Sequence, residues 1–424
     1  MAERKASFAL LSLLLAAGLI LAALTRDAPL ARWDGLLRAD ALSALLVIVV
    51  AAHGLVTLAH GAPRPWRVAM TAWLVGASVL QGHLAALGGL LVLAGLLEET
   101  GSDEERPIWR LAPVGVVAGL ALIGLTGGAW NYGAPLAGAG LNSLSFVLIL
   151  VSALLAPDAL ALAGTRAPAS ASAVAGGCLY TLMRLFSLGP WNTGWLFAAL
   201  LMGGLVALWG AWRAAIAPAE RAAPWLGLSL SGMTIAGAGM GSAAGLTVAG
   251  YILLLWPVLR LGLERPAAGM RALWLLSAAV PLSGPFVAGW LAIAAATAGG
   301  LPALALVLWL AALLIALPPA RLALAPAAPS TGDGRTWLAA GCSAGLGLGA
   351  PLLLMGLLAP LTAQLQGGLT PFGEIVVWPW AGLIAFDTAQ QPVATLPSLA
   401  IVGLMLILSA LCWVALRLLA LRKR

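Results

Sequence analysis

The sequence predicts an all-α polytopic membrane protein, one membrane domain spanning residues 1–424 with about fourteen transmembrane helices and a lower bound of twelve. Three observations predict it. Hydrophobic residues make up 62% of the chain and charged residues 9%, too little charge to clothe a soluble core of this length. Apolar runs near 20 residues recur from end to end, the length of helix that crosses about 30 Å of hydrocarbon. The 15 acidic and 22 basic residues are mostly confined to short clusters between those runs. Lipid offers no partner to backbone N–H and C=O groups, so such runs must be helices. The net charge of +7 is then no argument for nucleic acid, because membrane proteins gather base in their cytoplasmic loops.

In chain order the spans fall near 6–25, 41–60, 67–81, 84–98, 111–127, 142–157, 168–188, 194–214, 223–240, 243–261, 272–296, 301–319, 336–359 and 398–420. The first has no convincing cleavage site after it and reads as a retained span. Residues 68–97 are one apolar stretch; a single helix of that length would overshoot the bilayer, so it divides near Gln81, Gly82 and His83. Asp103, Glu104 and Glu105 with Arg106 and Pro107 form an acidic loop, and Pro318, Pro319, Pro326 and Pro329 followed by Asp333, Gly334 and Arg335 form a second break. Residues 361–397 are the longest connection. Their apolar centre, Ile375 to Phe386, is short for a span and contains Pro379, which predicts a long loop or a re-entrant or interfacial segment. An even number of spans and two basic ends, Arg4 with Lys5 and Arg422, Lys423, Arg424, place both termini in the cytoplasm, with the bacterial inner membrane as the expected location. Glycines such as Gly237, Gly239 and Gly241 suit close helix packing in lipid. Trp66, Trp109, Trp130 and Trp191 at span ends suit interfacial anchoring.

Few residues within the spans carry chemistry. The only lysines are Lys5 and Lys423, at the two ends, so the interior lacks the amine whose pKa burial tunes most readily for proton transfer. Asp158 follows Pro157 inside the apolar stretch Leu148 to Ala163, as an ion or water site at a broken helix end or as an interfacial cap. Arg184 ends an apolar helix and has the reach to snorkel. Glu220 and Arg221 follow Pro218 and suit a local pair at a loop or helix start. Asp158, Arg184, Glu220 and Arg221 together are the candidate ion or water path. Glu98 and Glu99 read as a solvated face. His53 and His60 share a helical face and His83 follows the next span, a set better suited to hydrogen-bonded or interfacial histidines than to haem. Cys178, Cys342 and Cys412 read as buried small hydrophobes. No nucleophile and base set, metal spacing or nucleotide-binding loop appears, so no catalytic residue, cofactor or metal is expected.

Four stretches in order carry a likeness to a known family. Residues 156–159 are APDA; residues 167–185 are APASASAVAGGCLYTLMRL; residues 208–221 are LWGAWRAAIAPAER; residues 281–290 are PLSGPFVAGW. In this order they resemble elements of the proton-conducting, antiporter-like membrane subunits of respiratory complex I, membrane hydrogenases and multisubunit cation/proton antiporters. The likeness covers residues 70–310 as an antiporter-like core. It implies inverted repeats with broken helices and partnership with other membrane subunits and lipid. It further implies membership, at most as a non-redox subunit, of an NADH–quinone oxidoreductase-like, hydrogenase-like or ion-transporting complex.

The departures from that pattern are specific. The family's fifth-span glutamate has no counterpart in residues 111–127, and its seventh-helix lysine would fall at Cys178 to Thr181. Its aspartate-x-lysine-arginine element becomes Ala219, Glu220 and Arg221. The lysine after the PLSG element becomes Ala288, the twelfth-span charge is missing from 301–319, and the histidine before APDA becomes Ala153. Arginine keeps its proton at ordinary pH and cannot hand it on. The leading expectation is a degenerate antiporter-like subunit of a complex I-like, energy-converting assembly, associated with proton translocation but without the lysine relay. The alternatives are a structural or assembly subunit and an independent transporter of a neutral solute.

Overall fold

The computed structural model describes residues 2–62, 64–97, 111–128, 130–132, 142–162, 171–189, 191–218, 221–263, 270–281, 283–324, 334–365, 374–378, 382–386, 392–396 and 407. Helix α1 (Ala2–Leu24) leads to a hairpin of β1 (Leu30–Arg32) and β2 (Leu37–Ala39), paired antiparallel with Ala31 opposite Arg38. The turn needs left-handed backbone at Trp33, Asp34 and Gly35, with φ of 51°, 52° and 85°. From there the chain crosses back and forth through α2 (Ala41–Ala59), α3 (Pro65–Val79), α4 (Leu84–Leu97), α5 (Ala112–Gly127), α6 (Ser143–Leu162), α7 (Ala171–Arg184), α8 (Thr193–Ile216), α9 (Ala222–Gly239) and α10 (Ala243–Leu263).

Local chemistry sets these boundaries. Asp40 and Asn192 accept from the amides of Ser43 and Trp195, capping α2 and α8. Gly128 adopts a φ of 65° after α5. The expected break in 68–97 falls where predicted: Gly82 donates to the Leu36 carbonyl of the hairpin, and Leu84 donates to that of Trp130. Gly82 has to be glycine, because a Cβ there would collide with the Gly35 carbonyl.

The packing of α8 on α9 is set by backbone approach. A Cβ on Gly203 would come within 2.8 Å of the Gly232 carbonyl, and one on Gly210 within 2.9 Å of the Trp225 carbonyl. In lipid, where no hydrophobic effect drives helices together, this close contact is the main attraction.

Two expected spans are broken. Residues 272–296 were predicted as one helix, but the chain forms α11 (Met270–Trp274), an irregular segment, and α12 (Gly284–Ala298). The physical cause is Ser283, whose hydroxyl caps α12 by accepting from Phe286, ahead of Pro285 in the first turn. Beyond α13 (Pro302–Leu324), the span predicted at 336–359 becomes α14 (Gly334–Leu348) and a second piece bent from it by 68°. That piece comprises α15 (Ala350–Leu353), a π segment (Leu354–Leu358) and α16 (Ala359–Leu365). The bend sits at Gly349 and Pro351, where proline cannot donate to the ladder.

Within residues 361–397, helix continues to Leu365, and β3 (Glu374–Trp378), β4 (Gly382–Phe386) and β5 (Pro392–Leu396) form an antiparallel sheet in the order 3-4-5. β5 lies against α12 and α10. Among the described residues, five helices are long and apolar enough to cross a membrane, or six counting the bent pair; α4, α5, α6, α7 and α12 supply shorter apolar helices. The loop at 98–107 and, apart from Ile407, the span expected at 398–420 lie outside the described residues. The chain is an all-α polytopic membrane protein with a small sheet appended.

Candidate functional site

Where α2 begins and α7 ends, a buried charge pair joins segments far apart in sequence. Asp40 caps α2, with Oδ1 accepting from the Ser43 amide at 2.9 Å and the Ser43 hydroxyl at 3.0 Å. A carboxylate at a helix N-terminus also meets the positive end of the helix dipole. Arg184, on the last turn of α7, donates through Nη2 to Asp40 Oδ1 at 2.7 Å, and through Nη1 to Oδ2 in the second arm of a bidentate pair. Both side chains are nearly sealed, at 2% and 3% exposure. Among the described residues no other ion pair is buried in this way.

The surrounding groups close the shell. Nε of Arg184 donates to the Tyr180 hydroxyl at 3.1 Å, and that hydroxyl donates to the Val79 carbonyl at 2.9 Å, at the end of α3. The Val79 carbonyl, 2.8 Å from the Ser43 hydroxyl, is the alternative acceptor for that hydroxyl's single proton. The guanidinium lies 4.7 Å from the centroid of the Tyr132 ring and 4.9 Å from that of Tyr180. Tyr132 reaches the Arg38 carbonyl of the hairpin at 3.2 Å. Burial pushes the Tyr132 phenol well above its usual range, so it remains a donor at any ordinary pH. The cluster therefore ties α2, α3, α7, the hairpin and the segment before α6 into one unit. Chemically it is a closed, fully hydrogen-bonded ion pair rather than a group waiting for a proton.

Several other interior hydroxyls are similarly occupied, although those of Thr57, Thr71 and Ser145 have no hydrogen-bond partner. Thr181, Ser231, Thr234 and Thr247 each donate to the carbonyl one helical turn back. At the α11–α12 break, Ser343 donates to the Leu275 carbonyl and accepts from the Gly284 amide, while Ser283 donates to the Ser277 carbonyl. These bonds satisfy backbone groups that the broken helix frees.

Of the other predicted path residues, Arg221 does not join Arg184 at this pair. Arg184 does not snorkel: the carboxylate of Asp40 holds it inside. Arg221 is exposed at the start of α9, without a side-chain capping bond. The 24-residue helix α8 separates Arg184 from Arg221, about 36 Å along its axis, so they sit at opposite ends of the bundle. Asp158 lies on α6, which carries Pro157 inside it, but its side chain and the whole of Glu220 fall outside the described residues.

His53 also differs from expectation. It is buried and packs edge-on against Trp256 at 5.2 Å, and neither ring nitrogen has a hydrogen-bond partner. His83 stacks on Trp130 at 5.8 Å. Cys178 is buried as predicted, whereas Cys342, on α14, is exposed. Cys412 lies outside the described residues. No grouping of three metal-ligating side chains occurs among the described residues.

Sequence reasoning missed Asp40 altogether. A signal was present: Asp40 with Ser43 immediately before an apolar run is a helix-start pattern. Its partner, 144 residues away, carried no such signal.

No protein-family model matches the chain. No curated protein matches it either. Solved structures do. A chain of the Mrp complex from a Dietzia species superposes with a TM-score of 0.69 at 18% identity, covering 85% of this chain and 92% of that one. A chain of respiratory complex I from Thermus thermophilus gives 0.69 at 17% identity, over 86% and 96%. A chain of the membrane-bound sulfane sulfur reductase, an archaeal respiratory membrane complex, gives 0.69 at 15% identity, over 86% and 92%. At these identities the shared property is the fold: this chain has the polytopic helical fold of membrane chains in these three complexes.

Proposed function

We propose that the chain is an antiporter-like membrane subunit of a multisubunit, energy-converting assembly, in which proton translocation belongs to the assembly and this chain holds the architecture without a lysine relay. The observation that carries the reading is a fold shared over 85% or more of the chain with subunits of three such membrane complexes. The interior supports it. Its buried ion pair is closed on itself, and the lysines lie only at the ends. The decisive experiment is affinity purification of the full chain from native membranes in mild detergent. Co-elution with several other membrane subunits supports the reading; recovery of a single active 42.9 kDa transporter of a neutral solute would sink it.

A translocating version would run through Asp158 and the Glu220–Arg221 region. An Asp158→Asn variant that leaves proton pumping per assembled complex unchanged rejects that version and retains the structural one.

The distribution of base supports a cytoplasmic N-terminus. Alternate crossing puts Arg4, Lys5, Arg64, Arg67, Arg213, Arg221, Arg260, Arg321 and Arg335 at the end of the bundle where α1 begins. The opposite end has Arg26, Arg32 and Arg38, with Arg184 neutralised by Asp40. Positive charge concentrates on the cytoplasmic side of membrane proteins.

A further inference from the structure

The contact between α2 and α10 seals in three polar atoms that have no partner. His53 and Thr57 lie one helical turn apart on the same face of α2, at 1% and 2% exposure. Neither ring nitrogen of His53 makes a hydrogen bond, and the Thr57 hydroxyl makes none. Trp256 of α10 closes over the imidazole edge-on, with the ring centroids 5.2 Å apart. Arg260, one turn further along α10, is half-buried and within electrostatic reach of His53. Gly227 of α9 leaves space for the indole, because a Cβ there would stand 2.8 Å from Trp256 Nε1.

The orphaned atoms define what would satisfy them. Thr181, Thr234 and Thr247 each donate to the carbonyl one turn back in their own helix, and Thr57 leaves that bond unmade. In either neutral tautomer the imidazole has one nitrogen that needs an acceptor and one that needs a donor. The closed contact supplies neither, and buried polar groups are rarely left so. Water both donates and accepts. An anion such as chloride only accepts, and would set negative charge against the unprotonated nitrogen.

The way in follows from the order of residues along α2. Thr57 stands between His53 and the helix end at Ala59, which is about 9 Å along the axis from His53. Arg260 lies toward the same end of the bundle, the end where α1 begins. In the other direction the same face of α2 carries Leu46, Val49 and Val50, all buried. A molecule that reaches His53 from the Thr57 side therefore goes no further.

We propose that His53 and Thr57 form a blind water-binding site between α2 and α10, entered from the end of the bundle where α1 begins when Trp256 swings off the imidazole. Water bridges the Thr57 hydroxyl and the nearer ring nitrogen. The site needs no lysine and does not cross the bundle, so it stands whether or not the chain assembles with other subunits.

Magic-angle-spinning NMR of the full chain in lipid bilayers, with 15N-labelled histidine and polarisation transferred from water protons, tests this. The sequence has three histidines, so His60→Gln and His83→Gln assign the signals. His60, which follows α2, is the reference. The His53 ring should gain signal at the mixing times that reveal His60. Thr57→Val, which keeps the side chain's shape and removes its hydroxyl, should lose most of the transfer to His53 and none of that to His60; Thr57→Ser should keep both. A His53 ring that stays dark in the wild type while His60 is complete means a permanently dry contact and overturns the proposal. Transfer unchanged in Thr57→Val overturns it too, as does a signal lost when chloride is replaced by gluconate, which would make the ligand an anion.

Discussion

Asp40 and Arg184 show how one buried charge dictates another. Removing either partner from a sealed ion pair strands the other and typically costs about 3–5 kcal/mol. Asp40→Asn or Arg184→Met should therefore lower the detergent-solubilised melting temperature sharply, while the double variant, which leaves no stranded charge, should recover part of the loss. A double variant less stable than both single variants would argue against a mutually compensating pair. Tyr180→Phe removes one hydroxyl that both accepts from Arg184 and donates to Val79. It should cost about 1–3 kcal/mol in the same measurement, because both partners stay buried. At this scale the sequence was only half legible. The span ending in Arg184 was visible, but its burial was not, because an isolated helix end in lipid is solved equally well by snorkelling or by a distant carboxylate.

Among the elements, the most exacting requirement is the α8–α9 contact. Gly232 abuts Ala207 and the Gly203 carbonyl, at 2.8 Å and 2.7 Å from where a Cβ would stand. Gly232→Val should push the helices apart and lower the yield of folded protein in fluorescence-detected size-exclusion chromatography. Gly89→Ala, with open space around its Cβ position, should leave that yield unchanged. The α11–α12 break depends on Ser283 instead. Ser283→Ala removes the cap of α12 and a bond to Ser277, for a loss of about 1–2 kcal/mol. The split at Gln81 to His83 was readable from sequence, because one helix over 68–97 would overshoot the bilayer. The breaks at 275–283 and Gly349 were not: hydropathy registers apolar side chains, and these segments stay apolar while the backbone turns. Their freed carbonyls are satisfied by Ser343 and Ser283, contacts that form only when α12 and α14 meet.

For the whole molecule, the proposed function separates the fold from the activity usually attached to it. Replacement of the residual charges should change the amount of assembled complex but not proton translocation per complex, measured by pH-sensitive dye quenching in vesicles. An Arg184→Met variant that assembles normally yet abolishes pumping would contradict the structural role. Composition and span length by themselves determined that this chain is an α-helical membrane protein, because lipid leaves no alternative for an unpaired backbone. The order of four short elements further determined which architecture to expect. Only the tertiary structure decided that Asp40 meets Arg184 and that Arg184 and Arg221 lie at opposite ends of the bundle. It alone also decided that two apparent spans are broken. The reason is physical: one-dimensional pattern reports what each segment does against lipid, whereas charge compensation and backbone satisfaction are settled between segments that meet only when the bundle closes.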